Sequence, residues 1–154
     1  MKKRLFLAGL ALIVAAGITG CGGGSVDVDA QGLADALKTG IVYKDDLSPI
    51  DLDTARMIFN FKDADITEAA FYESTGATAE EIVVIKCAGE ADAGVIEESL
   101  KSRVEEQKES FTDYVPGELE KLNTAVINRQ GNCAVLSVSD EPDKAREIIG
   151  SYFK

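Results

Sequence analysis

The chain has 154 residues, of which 45% are hydrophobic and 28% charged, enough apolar material for one packed domain and too much for a disordered tail. Its net charge of −11, with no basic or aromatic cluster to offset it, argues against a nucleic-acid partner. It contains no histidine, which removes Ser-His and Cys-His nucleophilic pairs, histidine metal sites and the commonest general base.

Lys2, Lys3 and Arg4 open the chain, and residues 5–18 are all apolar, Ala or Gly. That length suits an export signal and falls short of the roughly 20 residues a membrane-spanning helix needs. Ile18-Thr19-Gly20-Cys21 then resembles the bacterial lipobox, an aliphatic residue and two small ones before a cysteine whose thiol can take a diacylglyceryl group. The expectation is a signal peptide over residues 1–20, a lipidated Cys21 with a Gly/Ser-rich tether to residue 29, and a single domain over 30–154. Lipid on Cys21 would place the protein at the cell membrane, facing the extracytoplasmic side. Loss of the three leading cations leaves a charge of about −14, which serves solubility beside an anionic envelope or attracts a cationic ligand.

Leu33, Ala34, Leu37 and Ile41 recur at helical spacing after Asp29, which predicts a helix over about 30–39 with Gly40 as its stop. Asp45 to Pro49 reads as a turn. Asp51 or Asp53 caps a second helix through Ala55, Met57, Ile58 and Phe61, although Met57 to Phe61 also suits a strand. Thr67–Glu73 and the β-branched run Glu81–Cys87 predict two strands paired as a hairpin around the loop Ser74–Ala79. Ala91–Phe111 predicts a long helix with Ile96, Leu100, Val104 and Phe111 inward and Glu97 paired with Lys101 outside. Pro116-Gly117 marks its end. Two further strands, Ala125–Asn128 and Ala134–Val138, join through Gly131, and a last helix opens at Glu141-Pro142 with Ala145, Ile148, Ile149, Tyr152 and Phe153 inward. The order β-β-α-β-β-α behind one or two short helices predicts an α+β two-layer sandwich with a four-stranded, mainly antiparallel sheet.

Several pieces occur in a familiar order: Tyr72-Glu73-Ser74, Glu81 to Lys86, Gln107 to Phe111 with Tyr114-Val115-Pro116, and Gly131-Asn132 before Leu136 to Asp140. In these the chain resembles the bacterial lipoprotein family known as domain of unknown function 4358, over about the last hundred residues. The resemblance implies an exported, lipid-anchored small domain with no assigned activity or catalytic residues. Cys87 and Cys133 stand where that family is expected to carry apolar or aromatic residues, so any role for them is peculiar to this chain.

No catalytic, cofactor or metal motif emerges. The acid pairs Asp51/Asp53, Asp63/Asp65 and Glu105/Glu109 lie in polar, surface-like stretches, whereas carboxylate catalysis needs two acids facing across a cleft with one pKa raised by burial. Asp27-x-Asp29-x-Gln31-Gly32 mimics the start of a calcium loop, but its twelfth position is Lys38 where a glutamate is required, so tether plus helix cap is the better reading. Cys87 and Cys133 either form a disulfide or remain two small half-buried thiols. Phe111 and Tyr114 close the core or form a platform for a partner. These features favour a non-enzymatic module binding a protein or small ligand at the membrane. The alternatives are a carboxylate-only enzyme of envelope glycans or a structural protein of envelope assembly.

Overall fold

The computed structural model describes residues 26–61 and 63–153; the expected signal segment and Cys21 lie outside the described residues. Helix α1, Ala30–Gly40, starts at Asp29, whose Oδ1 accepts from the Gly32 backbone N–H at 3.1 Å. It buries Leu33, Ala34 and Leu37, and its outer Asp35 takes the Tyr72 hydroxyl proton donor at 2.6 Å. Helix α2, Leu52–Phe59, is capped by Asp51 rather than Asp53, with Thr54 N–H donating to Asp51 Oδ1 at 2.7 Å. The strand alternative for Met57 to Phe61 fails because Asn60 takes a left-handed conformation, φ 48°, which ends the helix and turns Phe61 back beside Phe59.

The sheet holds five strands, β1 Ser48–Pro49, β2 Ile66–Glu73, β3 Glu81–Cys87, β4 Val126–Gln130 and β5 Cys133–Val138, in the order β1-β2-β3-β5-β4. Every pairing is antiparallel, and the hairpin β2–β3 forms as expected, closed by Glu73 directly opposite Glu81. The fifth strand is the two-residue segment read from sequence as a turn; it adds to the edge at Tyr72 and Glu73, a place where the missing N–H of Pro49 costs little. Gly131, φ 54°, makes the tight turn of the β4–β5 hairpin.

The α+β class and antiparallel sheet are therefore as expected, while the layering goes beyond two. Val83, Ile85, Leu136 and Val138 pack on one face with α2, with α3 (Glu90–Thr112) and with the short α4 (Leu119–Asn123). Ile82, Val84, Cys133 and Val135 pack on the other with α1 and α5 (Pro142–Tyr152). Helices on both sides explain why β3 and β5 carry unbroken apolar runs instead of alternating ones. Helix α4, preceded by a 3-10 turn at Pro116–Glu118, was not anticipated, because five residues carry too little periodicity to read. The packed domain also begins before residue 30: Val28 is buried, and the Val26 N–H donates to Asn132 Oδ1 at 3.0 Å.

Candidate functional site

Two consecutive glutamates enter β3 and go to different surroundings. Glu80 and Glu118 flank Lys121, all three buried, with Lys121 Nζ 3.0 Å from Glu80 Oε1 and 2.9 Å from Glu118 Oε2. The remaining lone pairs are occupied: Glu80 accepts from the backbone N–H groups of Lys44 and Asp45 at 3.0 Å and from the Thr78 hydroxyl at 3.1 Å. Glu118 accepts from the Ala79 N–H at 2.9 Å. This cluster ties the loop after α1, the β2–β3 loop and α4 into one end of the sheet.

Glu81 faces the α3 side instead. Its Oε2 accepts from Arg103 Nε at 3.2 Å and Nη2 at 3.0 Å, and the same Nη2 lies 3.5 Å from Glu73 Oε2. The Arg103 guanidinium rests over the Phe59 ring, 5.1 Å from its centroid, and that ring stacks with Phe61 and Phe71. The aromatic cluster thus fixes where the charge sits. Like charges opposed across a hairpin repel, and one arginine is shared between two acids. Glu73 Oε1 and Glu81 Oε1 are both buried without a donor, although the two carboxyls lie within hydrogen-bonding reach of each other. A proton held by Glu73 and donated to Glu81 satisfies both oxygens. Burial first, and the neighbouring Glu81 charge second, push Glu73 up to about 8, with Arg103 opposing; burial likewise raises Glu81.

A cleft of about 280 Å³ opens above this pair, between the β2–β3 loop and the last turns of α3. Glu73, Ser74 and Thr78 form one wall. Arg103, Gln107, Ser110, Phe111 and Tyr114, spaced so that they share one stripe of the helix and its continuation, form the other. Phe111 is buried and Tyr114 is 70% exposed, their rings 6.2 Å apart, so the candidate platform forms the lip of the cleft. A second hollow of about 220 Å³ beside Phe59 and Asn60 has less to offer, since its Ser99 hydroxyl is already engaged with the carbonyls of Asn60 and Val95.

The other sequence candidates are placed apart from this site. Asp51 caps α2, and Asp53, Asp63, Asp65, Glu105 and Glu109 are exposed. Asp29 caps α1 and the Gln31 amide donates to Asp35 and Tyr72, so the stretch from Asp27 is a helix entry and not a cation loop. Among the described residues, no group of three acids or cysteines is placed to hold a metal ion. Cys87 and Cys133 are free, which corrects the disulfide alternative: Cys133 is the cross-strand partner of Lys86, so it shares that residue's face and Cys87 takes the opposite one. Burial pushes their thiols up to about 11 and about 12. Sequence reasoning missed Glu73, Glu81 and Arg103, although the two acids end and begin the strands it had drawn.

No described helix is long and apolar enough to cross a membrane. No curated protein and no solved structure matches the chain. The model of the family described as Domain of unknown function (DUF4358) matches residues 41–139, the segment that holds the whole sheet, both buried charge clusters and the cleft, and leaves α1 and α5 outside. With that match over more than half its length, the chain belongs to the DUF4358 family.

Proposed function

We propose that this protein is an extracytoplasmic lipoprotein, anchored by lipid on Cys21, whose domain binds a small ligand or a side chain of a partner protein in the cleft above Glu73 without transforming it. The observation that carries the reading is the cleft itself: an aromatic lip over a floor whose ionisable groups are not fully partnered. Its position supports the same view. β3 runs from Glu81 beneath the cleft to Cys87, whose N–H bonds Asn132 O, and Asn132 is also where Val26 docks. The cleft and the tether's entry are thus separated by the length of β3, roughly 20 Å at ~3.3 Å per residue. Five residues from Cys21 to Val26 reach at most about 18 Å, so a lipid there holds the Asn132 end near the bilayer and turns the cleft away from it.

A carboxylate-only hydrolase is the competing reading, favoured by two neighbouring glutamates with one proton between them. It is the weaker one. Glu81 is fully buried and held twice by Arg103, so Glu73 alone reaches the cleft and no bond can be flanked by two acids.

The anchor is tested by mass spectrometry of the protein from membranes: a chain starting at residue 21 with acyl mass is expected, and an unprocessed, unacylated precursor contradicts it. The site is tested by NMR fragment mapping on the full chain in detergent. Shifts clustered at Ser110 and Tyr114, and lost in Tyr114→Ala, support it. Release of new reducing ends from envelope polysaccharide would replace binding with catalysis.

A further inference from the structure

Within the binding reading just given, the geometry points to a ligand class: we propose that the cleft takes a primary ammonium group, seated on the Glu73 carboxylate beside the Arg103–Glu81 pair. The charge count motivates this. Arg103 spends both of its close contacts on Glu81 Oε2 and stands 3.5 Å from Glu73, so two acids share one cation. No backbone N–H makes up the difference, in contrast to the Glu80 cluster. Glu81 Oε1 has no donor in close contact, with the Gln107 side chain in longer reach of the carboxyl, and Glu73 Oε1 is the matching orphan just beneath the cleft.

The groups facing Glu73 are Glu81 from β3, Arg103 from α3 and Tyr114 beyond it, while β1 contributes only Ser48 and Pro49. An entering cation gives Glu73 a closer partner than Arg103, which stands 3.5 Å away. A primary ammonium brings three N–H donors, for Glu73 and for the acceptor oxygens of Gln107 and Ser110 on the wall. Its alkyl stem can lie along the exposed Tyr114 ring at the lip, a face that also favours positive charge. At about 280 Å³ the cleft is smaller than most drug-sized pockets and matches an aminoalkyl chain, either a free short amine or a lysine side chain of a partner. The molecule's net charge of −11 draws such a cation in from solution.

Because burial and the neighbouring Glu81 raise Glu73 to about 8, an entering ammonium displaces a proton, a signature that simple binding lacks. Titrating the full chain in detergent with n-butylamine and with Nα-acetyl-lysine N-methylamide, by calorimetry in buffers of different ionisation enthalpy, should show up to one proton released per amine below pH 8. Affinity should rise about tenfold per pH unit from 6 to near 8 and then level off. The two probes separate the sources: tighter binding of the lysine amide marks a protein partner, and tighter binding of butylamine a free amine. Glu73→Gln should lose the binding while keeping the native circular dichroism, and tetramethylammonium, which has no N–H, should not compete.

Affinity independent of pH, binding without proton release, or unchanged binding in Glu73→Gln overturns the proposal. If neither amine binds but uncharged or anionic fragments shift cleft residues, the ligand class is wrong and the binding reading stands. If no fragment of any charge shifts them, both fall.

Discussion

Glu80 and Glu81 are neighbours in the chain, and each ends in a cluster of two glutamates and one cation, yet the two clusters are built to different standards. Around Lys121, backbone N–H groups of Lys44, Asp45 and Ala79 supply what the single cation does not, and every carboxylate oxygen of Glu80 and Glu118 has a partner. Around Arg103, one oxygen of each acid has none. The first arrangement holds loops together and asks for nothing more; the second borders a cleft and is completed by a proton or a ligand. A buried polar group left incomplete calls for an explanation, and at Glu73 and Glu81 the adjoining cleft supplies one.

The largest expected effect lies at Lys121. Lys121→Met strands two buried carboxylates and should cost about 3–5 kcal/mol in urea unfolding at pH 7. A loss below about 1 kcal/mol would mean the cluster is not the lock described here. Arg103→Met should cost about 3 kcal/mol at pH 8 but less at pH 5, since Glu73 and Glu81 can then take up protons in place of the cation. Equal cost at both pH values would contradict the distinction between the two clusters.

Glu73→Gln works in the opposite direction. Because its folded value is raised from 4.5 to about 8, the native state holds a proton that the unfolded chain has lost between these limits. Stability therefore falls as pH rises through that window, by up to about 1.4 kcal/mol per unit, and the fall ends above pH 8. The glutamine variant should match the parent near pH 4 and exceed it by a few kcal/mol at pH 9, read as melting temperature. A variant that is less stable at pH 9 would show that Glu73 is ionised and well paired. The smallest effects belong to the lip and the thiols: Tyr114→Ala should stay within about 0.5 kcal/mol of the parent, and a reductant should leave the melting temperature unchanged. A reductant-dependent shift would place a bond between Cys87 and Cys133 after all.

Much of this fold was readable in advance. Periodicity located α1, α3 and α5, the β-branched run at Ile82 to Ile85 located the central strand, and Asp29 and Pro142 marked helix starts. The second helical layer was misread as absent from a two-layer sandwich, although the unbroken apolar runs of β3 and β5 need cover on both faces where alternation suffices for one. The site was half legible. Strands ending at Glu73 and starting at Glu81 place two acids opposite each other once the hairpin register is drawn, which is a conflict worth explaining. The helical stripe from Arg103 through Gln107, Ser110 and Phe111 was equally present in the sequence. What could not be read is that the two meet: contacts between β2 and α3 depend on how the long helix crosses the sheet, and no local pattern encodes that crossing. The Lys121 cluster was hidden for the same reason, since its members come from three segments and look like ordinary surface charges.

Glu73 carries a proton at neutral pH because it is buried beside Glu81, to which Arg103 gives its close contacts. Carbon-detected NMR of the glutamate side-chain carboxyls, followed from pH 3 to 10, tests it directly. One resonance, assigned by its loss in Glu73→Gln, should titrate with a midpoint near 8. A Glu73 carboxyl titrating near 4.5, as an ordinary solvated glutamate does, would contradict it.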